Sequence, residues 1–306
     1  MKTEIKLPHG RETYIADFGE GLVMKRPLPE FTQAQKDKWL QKQIKTKVVI
    51  DDICSVGNPV YNVPKMLYIK DSEYQLLEER APGEELTFDL YQSLTTRQRY
   101  EIITSLAHFL VDMNESKQVS GDVTHNLSKE IKVQRLHNII DKKLPKWFSF
   151  GEVRYVEKML DRVDAFQYVT RKAWSHCDLN CNNVLYDPQT SKISFIDFAE
   201  ADYNFIFHDI FSPLAIDLDI CKPLYEEYIK LHNKSLYRIY GPRNPELQNI
   251  MAYRTATVLL KRITKCGDDL RLNPQSKKTQ KNNIEKVYRI HDLIGCLQRI
   301  EKQMLR

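Results

Sequence analysis

His176-Cys177-Asp178-Leu179-Asn180-Cys181-Asn182-Asn183-Val184-Leu185-Tyr186, followed by Ile193-Ser194-Phe195-Ile196-Asp197-Phe198, decides how this chain is read. The spacing is H-x-D-x-x-x-x-N, and then two apolar runs, Val184–Tyr186 and Ile193–Ile196, flank Asp187-Pro188. Two short apolar runs around an Asp-Pro turn predict a β-hairpin. The loop before the hairpin carries Asp178 and Asn183, and the second strand returns to the same edge with Asp197. Three oxygen-bearing side chains from two chain segments are thereby brought together. Such a set suits a hard divalent cation and includes a carboxylate able to accept a proton. His176 is read as a support for the loop, hydrogen-bonded to backbone or to Asp209 after the following turn.

Upstream, the first eighty residues read as strands with one helical insert. Glu4–Leu7, Thr13–Asp17 and Gly21–Lys25 are short β candidates, with turns at Gly10 and at Gly19-Glu20-Gly21. A helix is expected from about Thr32 to Cys54, because Thr32 and Gln35 stand in capping-box register. Lys65–Ile69 and Tyr74–Glu78 read as two more strands around the polar turn Lys70-Asp71-Ser72-Glu73, and Pro82-Gly83 breaks the chain.

Beyond Gly83 the periodicity becomes helical. Ile102, Ile103, Leu106, Phe109, Leu110 and Met113 form one stripe; Val156, Met159, Leu160, Val163 and Phe166 form another. Arg271–Asn283 is polar and basic and is expected to be a mobile loop; its Lys277, Lys278 and Lys281 read as solvated. The fold class expected is α+β in two lobes, a small antiparallel-sheet lobe over 1–80 and a helix-rich lobe over 81–306.

The 306-residue composition fits a folded domain of this size. Hydrophobic residues reach 42%, enough for a core, and no apolar run approaches the roughly 20 residues of a membrane helix. The net charge, 46 − 41 = +5, is too mild and too dispersed for a dedicated nucleic-acid binder. The polar N-terminus shows no secretory signal, so a cytoplasmic location with reduced cysteines is expected. Cys177 and Cys181 lie beside His176, but the second close ligand pair of a structural zinc site is missing. They are read instead as small buried apolar side chains.

The segment Trp174–Ile210 resembles the aminoglycoside phosphotransferase and choline kinase superfamily, which has a two-lobed protein-kinase-like fold. Leu76–Gly83 is similar to that family's segment linking the lobes, and Ser105–Asn114 to the first long helix of its second lobe, although Met113-Asn114 stands where the family usually has Leu-His. Phe195–Phe198 followed by Tyr203-Asn204 and Asp209-Ile210 resembles choline kinases in particular. The resemblance implies ATP and Mg2+ as cofactors and phosphoryl transfer to a hydroxyl as the reaction. It implies Asp178 as catalytic base, Asn183 and Asp197 as Mg2+ ligands, and His176 and Asp209 as structural supports. Gly10, Arg11, Glu12 and Thr13 would cover the phosphates, Lys25 would contact the α and β phosphates, and the backbone of Glu79–Ala81 would meet adenine. The acid paired with Lys25 stays open among Asp37, Asp51 and Asp52.

The lone glycine of His9–Thr13 and the short stretch after Asp197 favour a small-molecule acceptor over a protein. Glu200 and Asp202, set among aromatics, suit a cationic acceptor such as an amino-alcohol like choline or an aminoglycoside; a sugar is the uncharged option. Ala199 stands where choline kinases usually carry a glutamate. A kinase acting on protein and a catalytically inactive nucleotide-binding scaffold are the alternatives.

Overall fold

The computed structural model describes residues 5–6, 13–116, 118–120, 140–141, 147–164, 171–205, 208–231, 253–261, 263 and 277–304. The chain divides into two compact units, residues 1–118 with 173–203, and 119–172 with 204–306. The Pro82-Gly83 break expected to separate lobes thus falls inside the first unit.

That unit opens with β1 (Ile5–Lys6), β2 (Thr13–Gly19) and β3 (Leu22–Pro27), then α1 (Gln33–Val56), β4 (Met66–Lys70) and β5 (Gln75–Glu79). The five strands form one antiparallel sheet in the order β1-β2-β3-β5-β4. Helix α1 starts where the capping box predicts. The Thr32 N–H donates to Gln35 Oε1 at 2.8 Å and the Gln35 N–H to Thr32 Oγ1 at 3.4 Å. It ends at Gly57, whose φ of 67° is the left-handed C-cap that glycine allows. Trp39, Val49, Ile50 and Ile53 supply its buried stripe.

After β6 (Glu84–Glu85) come α2 (Phe88–Ser93) and α3 (Thr96–Ser116), and all six apolar residues of the expected α3 stripe are buried. The remaining strands are β7 (Gln118–Ser120), β8 (Arg171–Ser175), β9 (Val184–Asp187), β10 (Lys192–Phe195) and β11 (Asp202–Phe205). β9 and β10 are the expected hairpin, with Phe195 opposite Val184 and Lys192 opposite Asp187. β6 adds to its edge, with Glu84 opposite Tyr186.

Gly83 is where the segment after β5 crosses this hairpin. Its φ is +102°, and a Cβ there would lie 2.5 Å from the Tyr186 carbonyl oxygen. Backbone contacts cannot yield as a flexible side chain does, and the φ itself is unfavourable for any L side chain. Gly83→Ala is therefore expected to destabilise the protein by roughly 2–3 kcal/mol. Urea unfolding checks this; an unchanged midpoint would show that the crossing relaxes freely.

The second unit is mainly helical where described, with α4 (Phe150–Asp164), α5 (Pro213–Asp217), α6 (Cys221–Leu231), residues 253–261, and α7 (Lys277–Met304). Val156, Met159, Leu214, Leu224, Tyr228, Tyr253, Leu259, Leu293, Leu297 and Ile300 are buried in it. Of the stretch 271–283 expected to be a loop, residues 277–283 are instead the start of α7, and residues 271–276 lie outside the described residues. The apolar stripe from Ile290 to Ile300 anchors a long amphipathic helix, and the Lys-rich residues before it, lysine being a good helix former, extend it N-terminally. Phe166 lies outside the described residues.

The cysteines also differ from expectation. Among the described residues Cys54, Cys177, Cys181, Cys221 and Cys296 form no disulfide, and of these only Cys221 is buried. Cys177 and Cys181 are half-exposed because they sit on a loop rather than on a core-facing stripe.

Candidate active site

Everything the sequence assigns to nucleotide chemistry and that the structure describes lies in the first unit. The loop after β8 is held by its own side chains. Asn183 Nδ2 donates to the Asp178 carbonyl at 2.8 Å and to Asp178 Oδ2 at 3.1 Å, and Asn180 Nδ2 donates to the same carbonyl at 3.0 Å and to Oδ1 at 3.1 Å. Asp178 is half-buried and Asn183 is buried.

The residue before Asp197 ties the two segments together. The Ile196 N–H donates to the Asn183 carbonyl at 3.0 Å, and the Ile196 carbonyl lies 3.0 Å from His176 Nε2. A carbonyl only accepts, so Nε2 carries the hydrogen there. His176 is fully buried, with Phe198 4.7 Å and Phe109 6.4 Å from its ring, and Phe109 stacks on Phe195 at 3.6 Å. The backbone partner of His176 is thus on the segment that leads from β10 to Asp197. Asp209, in the second unit, is buried and 2.8 Å from His208 Nδ1.

Left-handed backbone occurs in both carboxylate-bearing segments. Cys177 has φ 66° and Asp197 has φ 60°, left-handed values that few non-glycine residues adopt. Asp tolerates this conformation through its short polar side chain, and Asp197 leaves the sheet exposed. The Asn183 amide nitrogen is committed to Asp178, and its Oδ1 accepts no hydrogen bond among the described residues. One free amide oxygen and one exposed carboxylate fit Mg2+, which keeps waters and phosphate oxygens and asks for one or two protein ligands. Among the described residues no three His, Cys, Asp or Glu side chains group as a metal cage.

On the sheet, Lys25 stands opposite Leu76, and Val23 opposite Glu78. Lys25 and Glu78 are thus diagonal neighbours on one face of β3 and β5, and they form an ion pair. The acid is on a strand, not on α1, which corrects the open choice among Asp37, Asp51 and Asp52. Asp51 instead pairs with Lys47 at 2.8 Å, and Asp37 accepts from Gln33 and Tyr74. The missed signal was the alternation Leu76-Leu77-Glu78 itself: an acid at a core-facing strand position needs a cation on the neighbouring strand.

Past β5, the N–H of Glu79 bonds the Lys65 carbonyl at 2.9 Å and that of Arg80 bonds the Gly21 carbonyl at 2.6 Å. Pro82 has no N–H, so Ala81 offers the free backbone donor of this segment among the described residues. Thr13 Oγ1 accepts from Trp39 Nε1 at 3.0 Å; Gly10, Arg11 and Glu12 lie outside the described residues. Glu200 and Asp202, expected to face a cationic acceptor, are engaged by α1: Lys42 Nζ is 2.6 Å from Glu200 and Lys45 Nζ 3.1 Å from Asp202.

Solved structures share this fold at low identity. Aminoglycoside phosphotransferase APH(2")-IIia, solved with GDP and kanamycin, is 16% identical with a TM-score of 0.62 over 95% of this chain and 93% of its own. A choline/ethanolamine kinase family protein from Mesorhizobium loti gives 13% and 0.55 over 97% and 92%. Choline kinase LicA from Streptococcus pneumoniae gives 13% and 0.52 over 95% and 92%. No curated protein matches the chain by sequence. The α+β fold is therefore that of the aminoglycoside phosphotransferases and choline kinases. Residues 52–240, more than half of the sequence, match the model of the phosphotransferase enzyme family, and the chain belongs to that family.

Proposed function

We propose that this protein transfers the γ-phosphoryl group of ATP to a hydroxyl of a small molecule, with Mg2+ bound by Asn183 and Asp197. The observation that carries the reading is the double hydrogen bond of Ile196, to the Asn183 carbonyl and to His176, which seats the Asp197 segment on the loop bearing Asp178.

In this reading Asp178 accepts the acceptor's hydroxyl proton as its oxygen bonds to the γ-phosphorus, and the bond to the nucleoside diphosphate breaks. The two asparagine amides that hold the Asp178 carboxylate orient it before substrate arrives. Lys25, steadied by Glu78, presents its ammonium to the α and β phosphates. Ala81 N–H, with the carbonyls beside it, supplies a donor and acceptors for the base. Mg2+ would neutralise charge on the phosphate oxygens.

A small acceptor is favoured because Asp197 and the start of α5 at Pro213 are too close in sequence for a long activation segment. Amino-alcohols, aminoglycosides and sugars are the classes to test. ATP and GTP, each with such a panel and with a protein mixture, should yield acceptor-dependent nucleoside diphosphate for one metabolite class, at least ~10-fold above hydrolysis, in line with what positioning two reactants contributes. Radiolabel passing only into protein would move the reading to a protein kinase, and no transfer at all would leave a nucleotide-binding scaffold. The described residues include no helix long and apolar enough to cross a membrane.

A further inference from the structure

We infer that Lys42 and Lys45 of α1 are positioning residues for the metal-binding Asp197, acting through the segment that follows it. The inference rests on the phosphotransferase reading and assigns Glu200 and Asp202 to α1 rather than to an acceptor.

Three contacts join α1 to residues 198–202. Lys42 pairs with Glu200 at 2.6 Å, Lys45 with Asp202 at 3.1 Å, and Thr46 Oγ1 donates to the Phe198 carbonyl at 3.4 Å in a buried setting. Positions 42, 45 and 46 fall on one helical face by their three- and four-residue spacing. The segment they grip is a tight 3-10 turn, Phe198–Glu200, closed by the Ala201 N–H on the Phe198 carbonyl at 3.0 Å. Its first residue abuts Asp197, so a displaced turn displaces the carboxylate.

On its other side the turn is fixed by Phe198, buried against His176 and Phe109. Asp197 immediately precedes this anchored turn, in a left-handed conformation that does not hold itself. The ion pairs with α1 are solvent-exposed, and such pairs add little to global stability. Their effect is on where one short turn sits. α1 is free for this work because Lys25 takes its acid from β5.

The test is nucleotide binding titrated with Mg2+, beside thermal melting, in the full-length chain. Lys42→Glu places like charges at the turn and should raise the Mg2+ concentration for half-maximal binding about 5–10-fold, the scale of losing an attraction and gaining a repulsion at exposed sites. The melting temperature should hold. The double exchange Lys42→Glu with Glu200→Lys should return the Mg2+ midpoint to within about 2-fold of wild type, since the pair is restored with reversed sign. Lys38→Glu, one turn earlier on α1, controls for the general loss of positive charge. Equal shifts in Lys42→Glu and Lys38→Glu, no rescue by the exchange, or a fall in melting temperature that tracks the Mg2+ effect would each overturn the inference. A wild-type chain that binds nucleotide with no Mg2+ dependence would instead remove the phosphotransferase reading beneath it.

Discussion

Asp178→Asn is expected to lower turnover at least ~10²-fold with the fold intact, the usual scale for losing a general base. The substitution keeps the size of the side chain and removes its charge and its capacity to take a proton. The Asp178 carboxylate accepts from the Asn180 and Asn183 amides at 3.1 Å each. An amide at 178 retains one acceptor oxygen, so one of these bonds is lost, at a cost of about 1 kcal/mol. The loop backbone keeps its other ties, among them the two amide bonds to the Asp178 carbonyl and the Ile196 bridge. Nucleotide affinity should therefore stay near wild type while phosphoryl transfer falls. Single-turnover transfer, nucleotide titration and melting on the same preparation check all three parts. Turnover near wild type would take Asp178 out of its role.

Asp197→Ala should abolish the Mg2+-dependent part of nucleotide binding, and turnover should fall by roughly 10²–10³-fold, since charge neutralisation by a bound metal contributes several kcal/mol. Alanine also tolerates φ near 60° less well than aspartate, which adds about 1 kcal/mol of local strain. Asp197→Asn separates the two effects, because asparagine accepts the left-handed conformation and lacks only the charge. Both variants should lose Mg2+ dependence alike if the carboxylate binds the metal. ATP affinity that is the same with and without Mg2+ in the wild type, or Mg2+ dependence that survives in both variants, would count against that assignment.

The elements around this site were legible because their signals are local. Thr32 and Gln35 cap α1 through a three-residue spacing, and the apolar stripe of α3 repeats within a helical turn. The hairpin of β9 and β10 needed only two apolar runs and an Asp-Pro turn. The start of α7 was hidden for a related reason. Its N-terminal residues carry no apolar stripe of their own, and the helix there is propagated from buried residues further along.

The sequence by itself determined the mixed fold and singled out the candidate oxygen donors at 178, 183 and 197 and the strand lysine at 25, since each lies in a motif complete within a few dozen residues. Only the tertiary structure decided who neutralises whom. Glu78 meets Lys25 because β5 lies beside β3 in the sheet order, and Glu200 and Asp202 meet Lys42 and Lys45 because α1 packs against the turn after Asp197. Ion pairs between distant residues depend on register and packing, and no periodicity along the chain encodes which acid a given lysine will reach.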